Sequence, residues 1–182
     1  SHTEPKKEPS YIDTKLVKQS LRNEIDANYF LMYLSSLFTD VVAQKLAELY
    51  KIGTSKYWDR ATVFWQIDEL GNTRAGKIMQ YNPETGKRIK KPYNKVNWVH
   101  SVLKIADFNL KQCFFGEHLL RQFPSKPIAI VESEKTAIIA ARCIEDVIWI
   151  ATGGISASQM TSDRAAKILK NRDVTLFPDL GA

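Results

Sequence analysis

The sequence predicts an α/β fold: an incomplete parallel sheet with helices, preceded by a helical and small antiparallel-sheet (α+β) segment. Three observations carry this reading. Residues 11–50 repeat apolar side chains at helical spacing. The middle of the chain alternates β-rich runs with turns. The last third alternates short apolar runs with helical stretches.

In residues 11–50, Leu16, Leu21 and Ile25 are spaced for one helical face, and a second run carries Phe30, Leu31, Leu34, Phe38, Val41, Val42, Leu46 and Leu49. Asp13 or Thr14 suits the cap of the first helix and Asp40 that of the second, and Gly53 stops the pattern. Residues 61–67 (Ala-Thr-Val-Phe-Trp-Gln-Ile) are β-branched and aromatic, as strands prefer. Asp68-Glu69-Leu70-Gly71-Asn72 then turns the chain into a second strand over 73–81. Asn82-Pro83-Glu84-Thr85-Gly86 turns it again, with residues 87–91 following. Residues 97–123 mix short helix and loop.

Beyond Pro124-Ser125-Lys126-Pro127, residues 128–131 (Ile-Ala-Ile-Val) read as a strand buried on both faces. A helix over 134–143, a strand over 147–151, the tight loop Thr152-Gly153-Gly154, a helix over 158–171 and a strand over 174–177 follow. Strand-helix-strand order implies right-handed crossovers and a parallel sheet. No helix follows the third strand, so the expected sheet is truncated at its carboxyl end. The expected boundary lies near Pro124, with 1–124 a basic amino-terminal nucleic-acid-binding segment and 125–182 the sheet domain.

The 182 residues are 44% hydrophobic and 25% charged, the balance of a protein with a substantial core. Cys113 and Cys143 are too few for a zinc ribbon or disulfide framework, and both are expected as small buried hydrophobes in a reducing interior. No stretch approaches the ~20 apolar residues of a membrane span, and the first residues lack a signal peptide's apolar core. The expectation is a cytoplasmic protein without membrane contact.

The net charge is +6, and from Arg74 to Lys95 seven Lys and Arg face one acid, Glu84. Such a cluster points to a polyanion partner, against the plainer reading of a solvated hairpin. Lys77, Lys87 and Arg88 are the main candidates for phosphate contact, with Arg74, Lys90, Lys91 and Lys95 behind them. Trp58, Trp65 and Trp98 suit a core, although Trp98 directly follows the basic run and is placed to stack a single-stranded base. His100 and His118 have no partner motif.

Sites in parallel α/β sheets sit at the carboxyl ends of strands. There the sequence places Glu132 after the first strand, Gly153 and Gly154 after the second, and Asp179 after the third. Two carboxylates flanking a glycine loop suit a hard cation such as Mg2+, which stabilises charge on a phosphoryl group. Acids at strand ends without any ligand are the plainer alternative.

Ile130-Val131-Glu132-Ser133-Glu134-Lys135-Thr136-Ala137 resembles the first motif of the TOPRIM domain of bacterial primases, topoisomerases and some nucleases. Ala151-Thr152-Gly153-Gly154 resembles its glycine turn, and residues 174–179 the strand leading into its Asp-x-Asp metal motif. The likeness extends upstream through Leu49-Tyr50-Lys51-Ile52-Gly53, residues 62–67, Gly71, Gly76-Lys77, residues 81–86 and residues 115–119 to the catalytic core of bacterial DNA primase. It is closest to primase-like proteins of mobile elements.

The resemblance implies Glu132 as catalytic residue, Glu132 and Asp179 as ligands of Mg2+ or Mn2+, and RNA primer synthesis by nucleotidyl transfer. It further implies single-stranded DNA and nucleoside triphosphates as partners, with a helicase or other replication protein beside them. Ser133 stands where that family has glycine, Thr136 where many primases have aspartate, and Gly181 where the second metal aspartate belongs. These departures keep other readings open: a catalytically inactive nucleic-acid-binding module, a TOPRIM nuclease, or an unrelated α/β interaction domain.

Overall fold

Each amino-terminal α-helix begins at a side chain that satisfies the free amides of its first turn. The structure, a computed structural model, describes residues 7–22 and 24–179. Asp13 caps α1 (Thr14–Ser20), as expected, by accepting from the Lys15 amide. Asn28 caps α2 (Tyr29–Leu37) after a 3-10 turn, Ile25–Ala27. Thr39, not Asp40, caps α3 (Asp40–Tyr50). Asp40 occupies the first turn instead, where its charge suits the helix dipole.

Lys51, with φ 54°, ends α3 and turns the chain into β1 (Ile52–Ser55), a strand the sequence did not announce. Gly53 lies inside that strand, paired with Val63, where a Cβ would collide with the Ser20 side chain. β2 (Ala61–Ile67) and β3 (Thr73–Met79) follow the expected hairpin, and the short β4 (Val96–Trp98) completes an antiparallel sheet of order β1-β2-β3-β4. Residues 87–91 add no strand; one bridge joins Tyr81 to Arg88. Two short helices, α4 (Val99–Val102) and α5 (Leu119–Gln122), lie in the connecting region.

β5 (Ile128–Val131), β6 (Ile148–Ala151) and β7 (Val174–Leu176) form the parallel sheet, in the order β6-β5-β7. All residues of β5 and β6 are buried, as a strand covered on both faces requires. α6 (Glu134–Cys143) connects the first two strands with the bounds expected. The single helix expected over 158–171 is two pieces, α7 (Ala157–Met160) and α8 (Asp163–Leu169). The Ser162 hydroxyl interrupts it by accepting from the Ala165 amide at 3.2 Å as a new cap.

The two sheets share one apolar core, in which Phe30, Leu34, Tyr50 and Phe64 meet Ile128, Ile138 and Ile150. A smaller core containing Val17, Val63, Trp65 and Ile78 lies on the other face of the antiparallel sheet. Several contacts tie the parallel sheet to the rest of the protein. Phe115 pairs with Ala151 through both backbone hydrogen bonds, at 2.9 and 3.0 Å. The buried Tyr50 hydroxyl donates to the Trp149 carbonyl at 2.7 Å. From α8, Arg164 donates to Glu69 at 2.8 Å and to the fully buried Glu117.

Cys113 is buried, as expected, but Cys143 is exposed. The buried face of α6 is set by Glu134, Ala137 and Ile138, and helix phase carries Cys143 outside it. Among the described residues, no helix is long and apolar enough to cross a membrane.

Asn28 is the polar pin of the amino-terminal part. Its carbonyl oxygen accepts from the Phe30 and Leu31 amides and the Thr62 hydroxyl, while its amide donates to the Gly53 carbonyl and Thr54 hydroxyl, each at 3.1 Å. Asn28→Ala removes the cap and strands buried partners. It should cost roughly 2–4 kcal/mol, read as a lowered urea midpoint at unchanged slope.

Candidate functional site

β5 pairs in parallel with both neighbours, so all three strands deliver their following residues to one edge. Glu132 emerges from β5, and its carbonyl accepts from the Gly153 amide at 2.9 Å and the Thr152 hydroxyl at 3.3 Å. Its carboxylate Oε1 accepts from the Asp179 amide at 3.2 Å. The strand-end residues named from sequence, Glu132, Gly153, Gly154 and Asp179, therefore do converge, with Glu132 between the other two exits. Gly181 lies outside the described residues.

The antiparallel sheet supplies the facing wall. Lys77 reaches from β3 to donate to Glu134 Oε1 at 2.9 Å and to the Gly153 carbonyl at 3.0 Å. Glu134 is almost fully buried, and its carboxylate packs against Gly153 so closely that a Cβ there would stand 2.7 Å from Oε1. Gly153 also has φ 56°, a left-handed conformation that favours glycine.

The turn after β3 is ordered by Asn82, whose side chain accepts from the Glu84 and Thr85 amides at 2.9 Å each. It ends in Gly86 at φ 62°, where any Cβ would collide with the Tyr33 ring. The Gly86 carbonyl accepts from Lys135 Nζ at 2.6 Å, and that ammonium lies 4.9 Å from the centre of the Tyr33 ring. Burial, then the neighbouring Lys87 charge, lowers the Lys135 pKa. Burial, then the Glu134 charge, raises that of Tyr81.

Between these walls runs an open cleft of about 690 Å³. It is lined by the cations Lys77, Lys87, Arg88, Lys90 and Lys135 and the carboxylates Glu132, Glu134 and Asp179. Lys77 and Glu134 neutralise each other, which leaves four cations against two carboxylates among the described residues. Lys87, Arg88 and Lys90 are exposed, with their charges open to a ligand. Lys77, named from sequence for phosphate contact, instead directs two of its three N–H bonds into the protein.

Trp98 is not part of the cleft: it sits half-buried on β4, across from Lys77 in register. Glu134, Lys135 and Gly86 were missed from sequence as a connected group. Their readable signals were the acid and base in the first turn of α6 and the glycine closing a recognised turn.

Among the described residues, no group of three His, Cys, Asp or Glu is placed to hold a metal. Glu132 and Asp179 both line the cleft, and as oxygen donors they are the residues that could hold a cation there. Among the described residues a two-metal arrangement does not fit, since the third nearby carboxylate, Glu134, is engaged by Lys77.

Fold and cleft together define a mixed α/β protein with a cationic groove at the carboxyl edge of a parallel sheet. Residues 28–180 match the family described as Domain of unknown function (DUF6371), and the chain belongs to that family. No curated protein matches the sequence.

The Lys77–Glu134 pair should be felt in stability. Lys77→Met leaves the Glu134 carboxylate buried without its cation and should cost about 3–5 kcal/mol in chemical denaturation. Lys77→Met combined with Glu134→Leu should recover much of that loss.

Proposed function

We propose that this is a primase-like TOPRIM protein that binds single-stranded DNA in the cleft. The observation that supports this most directly is the meeting of two separate wall sets. Lys87, Arg88 and Lys90, on the loop that follows β3, face Glu132, Gly153, Gly154 and Asp179 from the parallel sheet across one groove. A phosphodiester strand finds cations for its phosphates along one wall. The glycine loop on the other allows close backbone approach, because Gly154 has no atom within 4 Å of where a Cβ would stand.

In this reading Lys87, Arg88 and Lys90 bind and orient the strand, and Lys77 holds the glycine loop and α6 at fixed spacing. Glu132 and Asp179 are the residues that would hold one Mg2+. When bound, the ion would offset the charge of a nucleoside triphosphate and so support nucleotidyl transfer.

A second reading, a nucleic-acid-binding module without catalysis, is favoured by the two-carboxylate donor set and by Glu134 being neutralised by Lys77. The cytoplasmic setting and a helicase or other replication partner belong to the primase reading.

Binding of a fluorescent deoxythymidine oligomer across a salt series tests the strand-binding reading. Lys87→Ala with Arg88→Ala should flatten the slope of log K against log salt by roughly one to two units, about one for each phosphate that the variant no longer neutralises. An unchanged slope removes the cleft from nucleic-acid binding. Mn2+ titration of wild type and Glu132→Gln separates the two readings. Weaker binding by the variant supports the metal role, and equal binding leaves the non-catalytic module.

A further inference from the structure

The basic loop that lines the cleft continues past it into a cluster of aromatic rings, two of them exposed and one half-buried. Tyr93 follows Lys90 by three residues, no more than roughly 11 Å along the chain, and is 55% exposed. Trp58 stands 6.5 Å from Tyr93, centre to centre, and Tyr57, 46% exposed, stands 4.7 Å from Trp58. Lys95 places its ammonium 4.8 Å from the Tyr93 centroid and 5.3 Å from that of Trp58.

The cluster is tied to the sheet from several sides. Asn97 donates to the Tyr57 hydroxyl at 3.1 Å, and Gln80 donates to the Asp59 carbonyl at 2.8 Å. Lys95 donates its amide to the Ile89 carbonyl at 2.9 Å, which closes the loop on itself. Trp58 is half-buried against the smaller core and anchors the cluster, while Tyr57 and Tyr93 beside it are exposed.

The surroundings identify the partner. Trp58 also borders a second groove of about 690 Å³ whose charged lining is Arg22, Lys56 and Arg60 against one acid, Asp59. Asp59 is already engaged, accepting from the Tyr29 hydroxyl at 2.6 Å. Exposed aromatic rings among cations, joined by one loop to the cations of the cleft, match what unpaired nucleotides require: π-faces for bases and positive charge for the backbone. An acidic or apolar peptide would explain the cations or the rings, but not their connection, through one loop, to the cations of the cleft.

We propose that Tyr57, Trp58 and Tyr93, with Lys95, form a base-stacking platform that receives unpaired bases of the strand whose phosphates lie in the cleft. The inference rests on the strand-binding function proposed above and adds a second contact to it. It makes the footprint on single-stranded DNA longer than the cleft alone, and it makes affinity depend on bases as well as phosphates.

Tyr93 is exposed, so its substitution leaves the core intact. The full chain is titrated with deoxythymidine oligomers of ~6 and ~20 nucleotides, and with a long oligomer carrying abasic positions. Tyr93→Ala should bind the long oligomer roughly tenfold more weakly, as expected when about one base loses its stacking partner, while Tyr93→Phe binds as wild type does. On the abasic oligomer, wild type and Tyr93→Ala should be equal.

Wild-type affinity of Tyr93→Ala for the long oligomer, or equal weakening by Tyr93→Phe, overturns the platform. If Lys87→Ala with Arg88→Ala still weakens binding in that case, the cleft reading stands without it. If the wild-type chain binds no oligomer, both fall.

Discussion

The contact on which this site depends is the ion pair between Lys77 and Glu134, with the Gly153 carbonyl as its third member. It is the point where the antiparallel sheet touches both the helix and the loop that follow strands of the parallel sheet. Neither charge is stable in that position alone, since a buried ion without its partner carries a large desolvation cost. The pair therefore couples elements far apart in sequence and fixes the glycine loop beside Glu132. The tight approach of Glu134 to Gly153 is the steric side of the same constraint.

The rest of the architecture can be read as support for that contact. Tyr50 and Phe115 attach β6 to the amino-terminal part, and the strand whose end carries the glycine loop is thereby set against the wall that carries Lys77. Ser133 caps α6 by accepting from the Thr136 amide at 3.1 Å, so the helix begins directly after it, with Glu134 in the first turn. Parallel pairing on both sides of β5 brings Asp179 back to the same edge. The site is a product of connectivity as much as of side-chain chemistry.

The parts of this arrangement that sequence makes legible are those governed by local pattern. β2, β5 and α6 have the bounds expected, because a β-branched run, an apolar run between turn signals and a serine-capped helix each carry their signal within a few residues. The convergence of Glu132, Gly153, Gly154 and Asp179 was also legible, because strand-helix-strand order fixes which ends meet. β1 and β4 were not, since strands of four and three residues, one with a glycine inside, are defined by their partners. The pairing of Lys77 with Glu134 spans 57 positions, and nothing local distinguishes a lysine that will be buried from one that will meet phosphate. Cys143 was misread for a related reason: its neighbours are apolar, but helix phase turns it outward.

The cation ladder on the loop after β3 has a consequence for how a ligand would be selected. Gly86 is fixed against Tyr33, and its carbonyl is held by Lys135, so the base of that loop is anchored to α6. The charged tips of Lys87, Arg88 and Lys90 are exposed on an anchored backbone. Such a surface is preorganised in its main chain and adaptable in its side chains, so association orders little of the protein. It would tolerate variation in the spacing of successive anionic groups on a bound chain. That combination favours selection by charge and flexibility of the bound chain over selection by its sequence.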